Sequence, residues 1–321
     1  MADQANVADE SCFVYTGGRA PQHIINACVS ESISDIPDYA FNQCTRLVGI
    51  QFHNGVSTIG KWAFPGCCSL RSIKLLGVKI LKSNAFYNCT GLVEVVGDKL
   101  ETIGIGAFYK CTSLRKLSIK NVKIIESGAF NGCEQLISVE LSEELERMEQ
   151  YAFANCRSMR RIAMPLKTGM VANNVFNHCK NLERVDLVGG IHKSISCLNL
   201  DRWRDDMNEE INRINHILPQ TPATGTILGG KNEAIKKWIE AAYLKMKNYR
   251  TEHYRLLREA AILLELALWK AKLEEVEDDS LENAVAAKLQ ICQCSSKRSE
   301  LRIISGADVM VKNVLSFLTL E

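Results

Sequence analysis

Cysteine and histidine are the residue types that could do chemistry in this chain, which has 13 and 6 of them among 321 residues. A thiol beside an imidazole can act as a nucleophile with its base, and two pairs of such residues can bind zinc. The candidates in the C-terminal part are His253, Cys292 and Cys294. Cys292-x-Cys294 is only half of a zinc site because no second pair follows, and His253 falls at a core-like position of a helical pattern.

No catalytic signature accompanies these residues. The chain contains no Walker loop, no Gly-x-Ser-x-Gly and no His-Glu-x-x-His. Gly104-x-Gly106 lacks the third glycine of a dinucleotide fingerprint and lies inside a repeat. We therefore predict no catalytic residue, no cofactor and no metal. An enzyme in the C-terminal part that unites His253 with Cys292 or Cys294 stays open as an alternative.

Seven of the cysteines belong to a repeat. The signature Ala-Phe-x-x-Cys-x-x-Leu-x-x-Ile recurs seven times between Tyr39 and Leu187, at intervals of 22 or 23 residues. Such a period lies in the range of leucine-rich repeats, about 20 to 29 residues. The repeated residues are Phe41, Phe64, Phe86, Phe108, Phe130, Phe153 and Phe176, with Cys44, Cys67, Cys89, Cys111, Cys133, Cys156 and Cys179.

Each repeat also carries apolar residues with period two, such as Leu117 and Ile119, which predicts a strand with one buried face. A second apolar pair follows and predicts a second strand. One coil cannot bury these side chains alone, so coils stack through parallel strands about 4.8 Å apart, with an internal column of phenylalanines. The stacked cysteines point the same way, so we predict a buried, reduced ladder and free thiols at all thirteen cysteines.

The repeat resembles a known family. Tyr39-Ala40-Phe41-Asn42-Gln43-Cys44-Thr45-Arg46-Leu47 and its six successors look like the BspA-like leucine-rich-repeat unit. The last copy departs from that unit, since Val175 replaces Ala and residues 165–170 stand where the other copies have the second apolar pair. The resemblance implies a right-handed solenoid used for binding in adhesion, surface or signalling roles, and it carries over no catalytic residue.

The flanking segments complete an α+β architecture. We predict an N-terminal tail and solenoid cap over 1–37, seven repeats with parallel β-sheets over 38–197, a capping helix and Pro/Gly linker over 198–231, and an α-helical bundle over 232–321. The linker from Pro219 to Lys231 is a candidate hinge. Motifs on both sides of the repeats, such as Phe13-Val14-Tyr15 and Gly306-Ala307-Asp308, resemble expanded leucine-rich-repeat groups of diatoms.

The C-terminal bundle contains several predicted helices. The periodicity from Asn232 to Glu277 is long for one globular helix, so we expect a break near 248–251 or pairing with another helix. Its segment Leu263–Leu273 is apolar nearly all round, which predicts burial on several sides. Further helices are predicted over 281–293 and after Ser305.

Charge and hydropathy exclude some classes of partner. The net charge of +2 and pI near 7.9 do not indicate a nucleic-acid-binding domain. The polar N-terminus does not resemble a secretory signal, and no apolar run is long enough for a membrane span. We therefore predict an intracellular, cytoplasmic protein.

The outward strand positions are the candidate binding residues. They are Arg71, Lys74, Glu94, Arg115, Lys116, Glu140, Arg160, Arg161 and Arg184, interleaved with Glu183 and Asp186. A solvated sheet face explains them as well as a site for an acidic partner does. Arg71, Arg115 and Arg160 share one column and are the first candidates, since Arg is favoured at interface hot spots.

These observations predict a non-enzymatic protein–protein interaction module with an unidentified protein partner. The solenoid would present its sheet face to that partner, and the helical part would cap the solenoid or mediate assembly. A homo-oligomeric scaffold that pairs through the C-terminal helices is the alternative among binding proteins.

Overall fold

The computed structural model describes residues 12–188, 200–224 and 230–277, with side chains of the helical part described over 203–224 and 230–269. The strands are β1 Phe13–Tyr15, β2 Asn26–Val29, β3 Asp35–Ile36, β4 Gly49–Gln51, β5 Thr58–Ile59, β6 Ser72–Lys74, β7 Ile80–Leu81, β8 Glu94–Val96, β9 Thr102–Ile103, β10 Lys116–Ser118, β11 Ile124–Ile125, β12 Ser138–Glu140, β13 Arg147–Met148, β14 Arg161–Met164 and β15 Arg184–Leu187. Helix α1 is Leu200–Ile217, a 3-10 turn follows at Leu218–Gln220, and helix α2 is Lys231–Glu277.

Successive coils stack in register to form the predicted solenoid. The longer strands line one face in three segments, with orders β1-β2-β4, β6-β8-β10 and β12-β14-β15. The two-residue strands form a six-stranded sheet from β3 to β13. Every pairing is parallel and joins equivalent residues, as at Ile73, Val95 and Leu117. The expectation of a parallel-sheet solenoid followed by helices is confirmed.

The phenylalanines form the predicted internal column. Successive ring centroids lie 4.6 to 6.3 Å apart with nearly parallel planes, and all seven side chains are fully buried. Tyr15 adds a ring at the N-terminal end, 4.7 Å from Phe41, and its hydroxyl donates to the Gly18 carbonyl at 2.7 Å. The column is therefore covered at that end by an aromatic residue that lies outside the repeat pattern.

Tight turns beside the column require left-handed backbone. Residues immediately before the repeated Ala adopt positive φ, including Tyr39 at 61° and Trp62 at 51°, while Gly106 occupies the same position at 59°. Residues immediately before the repeated Cys do the same, as Lys110 does at 59°. Gly104 meets another constraint, because an added Cβ would lie 2.6 Å from the Leu81 carbonyl oxygen of the preceding coil.

The cysteine ladder is buried and reduced, as predicted. Each ladder thiol from Cys67 onward donates to the carbonyl of a phenylalanine in the preceding coil. For example, Cys89 Sγ lies 3.0 Å from Phe64 O. The neighbouring cysteines Cys67 and Cys68 are both free thiols.

The prediction that all thirteen cysteines are free is wrong at the N-terminal cap. Cys12 and Cys28 form a disulfide with a Cα–Cα distance of 6.1 Å. Because Phe13 pairs with Ala27, Cys12, which directly precedes β1, lies diagonally across from Cys28 in β2. The argument from stacked side chains applies only to the ladder, and these residues lie outside it. Cys197, Cys292 and Cys294 fall outside the described residues.

Helical residues cover the last coil. The Asn215 side-chain oxygen of α1 accepts from Val185 N at 2.8 Å, and that of Asn232 accepts from Phe176 N at 3.3 Å. The Lys231 ammonium is buried and donates to the carbonyls of Lys180 and Leu182. Burial lowers the pKa of Lys231. Lys231, which the sequence placed in a linker, is therefore part of the cap.

Helix α2 is continuous for 47 residues, so of the two expected outcomes, a break near 248–251 or pairing with another helix, the break does not occur. Its first part pairs with α1 instead, since Trp238 Nε1 donates to Glu210 O at 3.1 Å. The chain divides into two units after residue 246. In the second unit, Leu263 and Leu266 are 67% and 60% exposed, contrary to the burial predicted there. The helices predicted after residue 280 lie outside the described residues.

Candidate protein-binding face

The register of the coils places Arg71, Arg115 and Arg160 at one repeat position, immediately before the longer strand. Backbone bonds join neighbouring coils at this position: Val93 N donates to Arg71 O at 2.7 Å, and Arg115 N donates to Val93 O at 2.9 Å. Farther along, Arg160 N donates to Ile137 O at 2.8 Å. Arginine and aliphatic residues therefore alternate from coil to coil. We call this set the arginine–aliphatic stripe: Arg71, Val93, Arg115, Ile137 and Arg160.

Alternation separates the like charges of the stripe. The arginines lie two coils apart, which is about 10 Å at the spacing of parallel strands. Apolar surface fills the intervals, and Ile137 is 50% exposed. Arginine beside exposed apolar surface is a composition typical of protein interfaces.

The positive charge of the stripe is only partly compensated. Arg115 Nε donates to Gln135 Oε1 at 2.7 Å, which is a neutral acceptor. Arg160 Nη1 lies 3.6 Å from Glu183 Oε1, and both side chains are at least half exposed, so this pair contributes about 0 to 1 kcal/mol. Arg71 has no ion-pair partner among the described residues.

Three further predicted residues lie on the middle segment of this face. Glu94 and Lys116 are paired neighbours on β8 and β10, and Lys74 lies at the end of β6 beside Val96. Lys74 and Lys116 are exposed, whereas Glu94 is half-buried. These residues extend the polar surface beside the stripe.

The remaining predicted residues meet α1 at the C-terminal end of the face. Arg161, Arg184 and Glu140 lie on the floor of a groove of about 950 Å³ between the last three strands and α1. We call it the C-terminal groove. Its floor also contains Ala163 and Asp186, and its helical wall contains Asn208, Asn212 and Asn215.

The sequence-based reasoning missed the groove wall and a surface row of aromatic rings. Asn208, Asn212 and Asn215 recur at i, i+4 and i+7, which places them on one face of α1. That spacing is visible in the sequence, but the apolar periodicity that predicts the helix does not point to it. On the turns, ring centroids of Trp62 and Tyr87 lie 4.9 Å apart and those of Tyr87 and Tyr109 lie 5.2 Å apart.

The residues that could do chemistry are not brought together by the described part of the structure. Burial raises the pKa of Cys44 to about 12, so its thiol stays protonated and unreactive at neutral pH. His253 is buried in the second unit, and burial lowers its pKa. Cys292 and Cys294 lie outside the described residues. Among the described residues no cluster of three His, Cys, Asp or Glu side chains could hold a metal.

The repeats match a family model. Six copies of the BspA type leucine rich repeat region match over 22–121 and 101–197, which is more than half of the chain. The chain belongs to the BspA-type leucine-rich-repeat family. No curated protein matches its sequence.

Solved structures of other leucine-rich-repeat proteins resemble this BspA-type chain. A protein from Bacteroides ovatus is 21% identical, with a TM-score of 0.38, over 51% of this chain and 55% of that one. The leucine-rich-repeat protein of T. pallidum is 23% identical, with a TM-score of 0.39, over 56% of this chain and 75% of that one. This chain thus spans about half the length of the Bacteroides protein.

Proposed function

We propose that this BspA-type protein is a non-enzymatic interaction module whose arginine–aliphatic stripe binds an acidic surface of a partner protein. The exposed, incompletely paired arginines of the stripe carry the proposal. The solenoid fold is typical of protein-interaction modules, and the side chains that recur in every coil are core residues, which leaves the variable outward positions for recognition.

Charge reversal along the stripe tests this proposal. In the 321-residue chain, Arg71→Glu/Arg115→Glu/Arg160→Glu is expected to reduce capture of the main partner from its own cell extract by more than tenfold, because three charge-assisted contacts become repulsive. Quantitative mass spectrometry of the captured proteins measures the loss.

The matched control reverses three exposed lysines on turns outside the sheet face, Lys61→Glu/Lys82→Glu/Lys99→Glu, with the same change in net charge. This control is expected to keep the partner. A capture profile that the stripe variant leaves unchanged would contradict the proposal.

A homo-oligomeric scaffold is the second candidate, and the exposed face of α2 favours it. Ile262, Leu266 and Trp269 recur at i, i+4 and i+7 and are 51%, 60% and 55% exposed. We expect a dimer in size-exclusion chromatography with light scattering, and a monomer for Ile262→Glu/Leu266→Glu. Lys247→Glu/Asn248→Glu on the same helix is the control, and a wild-type monomer at micromolar concentration would exclude the scaffold.

An intracellular location remains a proposal. None of the described helices has a stretch long and apolar enough to cross a membrane. The disulfide between Cys12 and Cys28 counts against a strongly reducing compartment, where such bonds are rare.

A further inference from the structure

We propose that the C-terminal groove is a second binding site, which takes an extended peptide segment by a carboxylate and by its backbone. The site lies at the end of the solenoid and uses none of the residues of the arginine–aliphatic stripe. Its ligand chemistry follows from an arginine pair on the floor and an asparagine pair on the wall.

The arginine pair is oriented by one carboxylate. Asp186, whose side chain is 14% exposed, accepts a hydrogen bond from Arg161 Nε and two from Arg184 Nε at 3.0 Å. These bonds use only the Nε atoms. Among the described residues, the Nη groups of Arg161 and Arg184 make no hydrogen bond. The Nη donors of two guanidinium groups held side by side by one carboxylate suit bidentate binding of a ligand carboxylate.

The asparagine pair matches a peptide backbone. Asn208 and Asn212 are exposed, and their side chains make no hydrogen bond among the described residues. They lie four residues apart on a helix, about 6 Å along the axis, close to the two-residue repeat of an extended strand of about 6.6 Å. Each side-chain amide has donors and an acceptor, like the peptide group that it would contact. The Asn215 side-chain oxygen already accepts a hydrogen bond from a backbone amide, Val185 N, at 2.8 Å.

The groove is preformed and its walls are fixed. On α1, Trp203, Met207 and Ile214 are buried, and the Asn215 side chain ties the helix to the last strand by accepting from Val185 N at 2.8 Å. On the floor, the small side chain of Ala163 lies between Glu140 and Asp186 on the neighbouring strands. A fixed wall and a low floor leave a space that a ligand enters without rearrangement of the protein.

Charge and polarity of the groove select a peptide over other ligands. The lining contains three arginines and three carboxylates, Glu140, Glu183 and Asp186, and so lacks the excess of positive charge that binds the phosphates of a nucleic acid. The charged and amide side chains do not suit a mainly apolar small molecule. A polypeptide offers both the carboxylate and the repeating amides that the groove would bind.

Peptide display tests the proposal with the whole 321-residue chain. Two phage libraries of random octapeptides are selected, one with free C-termini and one with both ends flanked, so that a terminal carboxylate is distinguished from an acidic side chain. Selected peptides are then synthesised and titrated by fluorescence anisotropy. We expect either a shared free C-terminus or one invariant Asp or Glu.

Variants assign the binding to the groove. Arg161→Gln/Arg184→Gln is expected to weaken binding by roughly tenfold or more, as for loss of charge-assisted hydrogen bonds. Asn208→Ala/Asn212→Ala is expected to weaken binding of every selected peptide by a similar factor. Arg184→Lys retains the charge but not the bidentate geometry, so its affinity for the peptides is expected to lie between that of the wild type and that of Arg161→Gln/Arg184→Gln. Lys61→Gln/Lys82→Gln, at exposed lysines outside the sheet face, is the control and leaves binding unchanged, with circular dichroism melting to show that all variants fold.

Several results would overturn the proposal. These are the absence of any selected peptide, selected peptides without a required carboxylate, binding that neither pair of variants weakens, and glutamate alone binding as tightly as the peptides. Because the stripe and the groove are tested with separate variants, a failure of one proposal is distinguishable from a failure of the other.

Discussion

Raising the pH from 8 to 10 is expected to remove up to about 8 kcal/mol from the free energy of unfolding, because the pKa values of six ladder thiols are raised in the folded chain, by burial at five of them and first by a hydrogen bond with Cys89 at Cys67. These thiols belong to Cys44, Cys67, Cys89, Cys111, Cys133 and Cys156, which are fully buried. In the unfolded chain a thiol titrates near 9.0. Above that pH the unfolded chain loses protons that the folded chain keeps, so the equilibrium moves towards unfolding.

The size of this effect follows from linkage. Each thiol contributes about 1.4 kcal/mol for a full pH unit above its unfolded pKa. The contribution is fully present below about pH 8 and is lost as the pH rises through the unfolded pKa. Since domains are typically stable by about 5 to 15 kcal/mol, such a loss would remove a large part of the stability of the solenoid by pH 10.

Guanidinium denaturation between pH 7 and 10.5, followed by far-UV circular dichroism, measures the loss. Cys133→Ala is the control, because burial raises the pKa of the Cys133 thiol strongly. Its stability is expected to fall by about one-sixth less over this range, whatever its stability at pH 7. Titration of surface lysines affects both proteins equally. Identical pH dependences of wild type and Cys133→Ala would show that the ladder thiols do not set alkaline stability.

Phe108→Ala is expected to lower the free energy of unfolding by about 3 to 5 kcal/mol, the range for large aromatic truncations in a core. The ring of Phe108 is fully buried and lies 5.3 Å from both Phe86 and Phe130. Its removal would therefore open a cavity that two neighbouring coils cannot close. Equilibrium denaturation with analysis of the slope measures the loss.

Two further variants test how the loss of stability depends on the volume removed and on the position in the phenylalanine column. Phe108→Leu retains most of the volume and is expected to cost under about 1.5 kcal/mol. The repeat pattern alone suggested that Phe41→Ala, beside the cap, would cost less than Phe108→Ala. The structure changes that expectation, because Tyr15 covers Phe41 and leaves it equally buried, so a comparable loss is expected. A loss below about 1 kcal/mol at Phe108 would contradict a packed column.

Features that recur in every coil could be predicted because one local solution is repeated. The apolar alternation at Leu117 and Ile119 and the common positions of Phe108 and Cys111 suffice to assign strands and core columns. The left-handed positions escaped prediction, since ten of the fourteen hold residues other than glycine, such as Tyr39, Trp62 and Lys110, and only four hold glycine. Their chemical diversity hides a shared backbone requirement.

Features that occur once were poorly predicted. Burial of Lys231 and the hydrogen bonds of Asn232 depend on carbonyl groups that only the folded last coil brings near α2. The disulfide between Cys12 and Cys28 depends on the pairing of β1 with β2. The break expected in α2 is absent, although pairing with α1 over its first part was one of the two outcomes expected.

The sequence by itself determined the repeat, its period, its core columns and the outward residues of the sheet face, because stacking in register converts equal positions along the chain into neighbours in space. Tertiary structure alone decided which of those outward residues share a site. Arg161 and Arg184 meet through Asp186, and Asn208 and Asn212 face them from a helix that begins more than ten residues after the last strand. Such a meeting depends on how the helix packs on the end of the solenoid, which the repeat pattern does not encode.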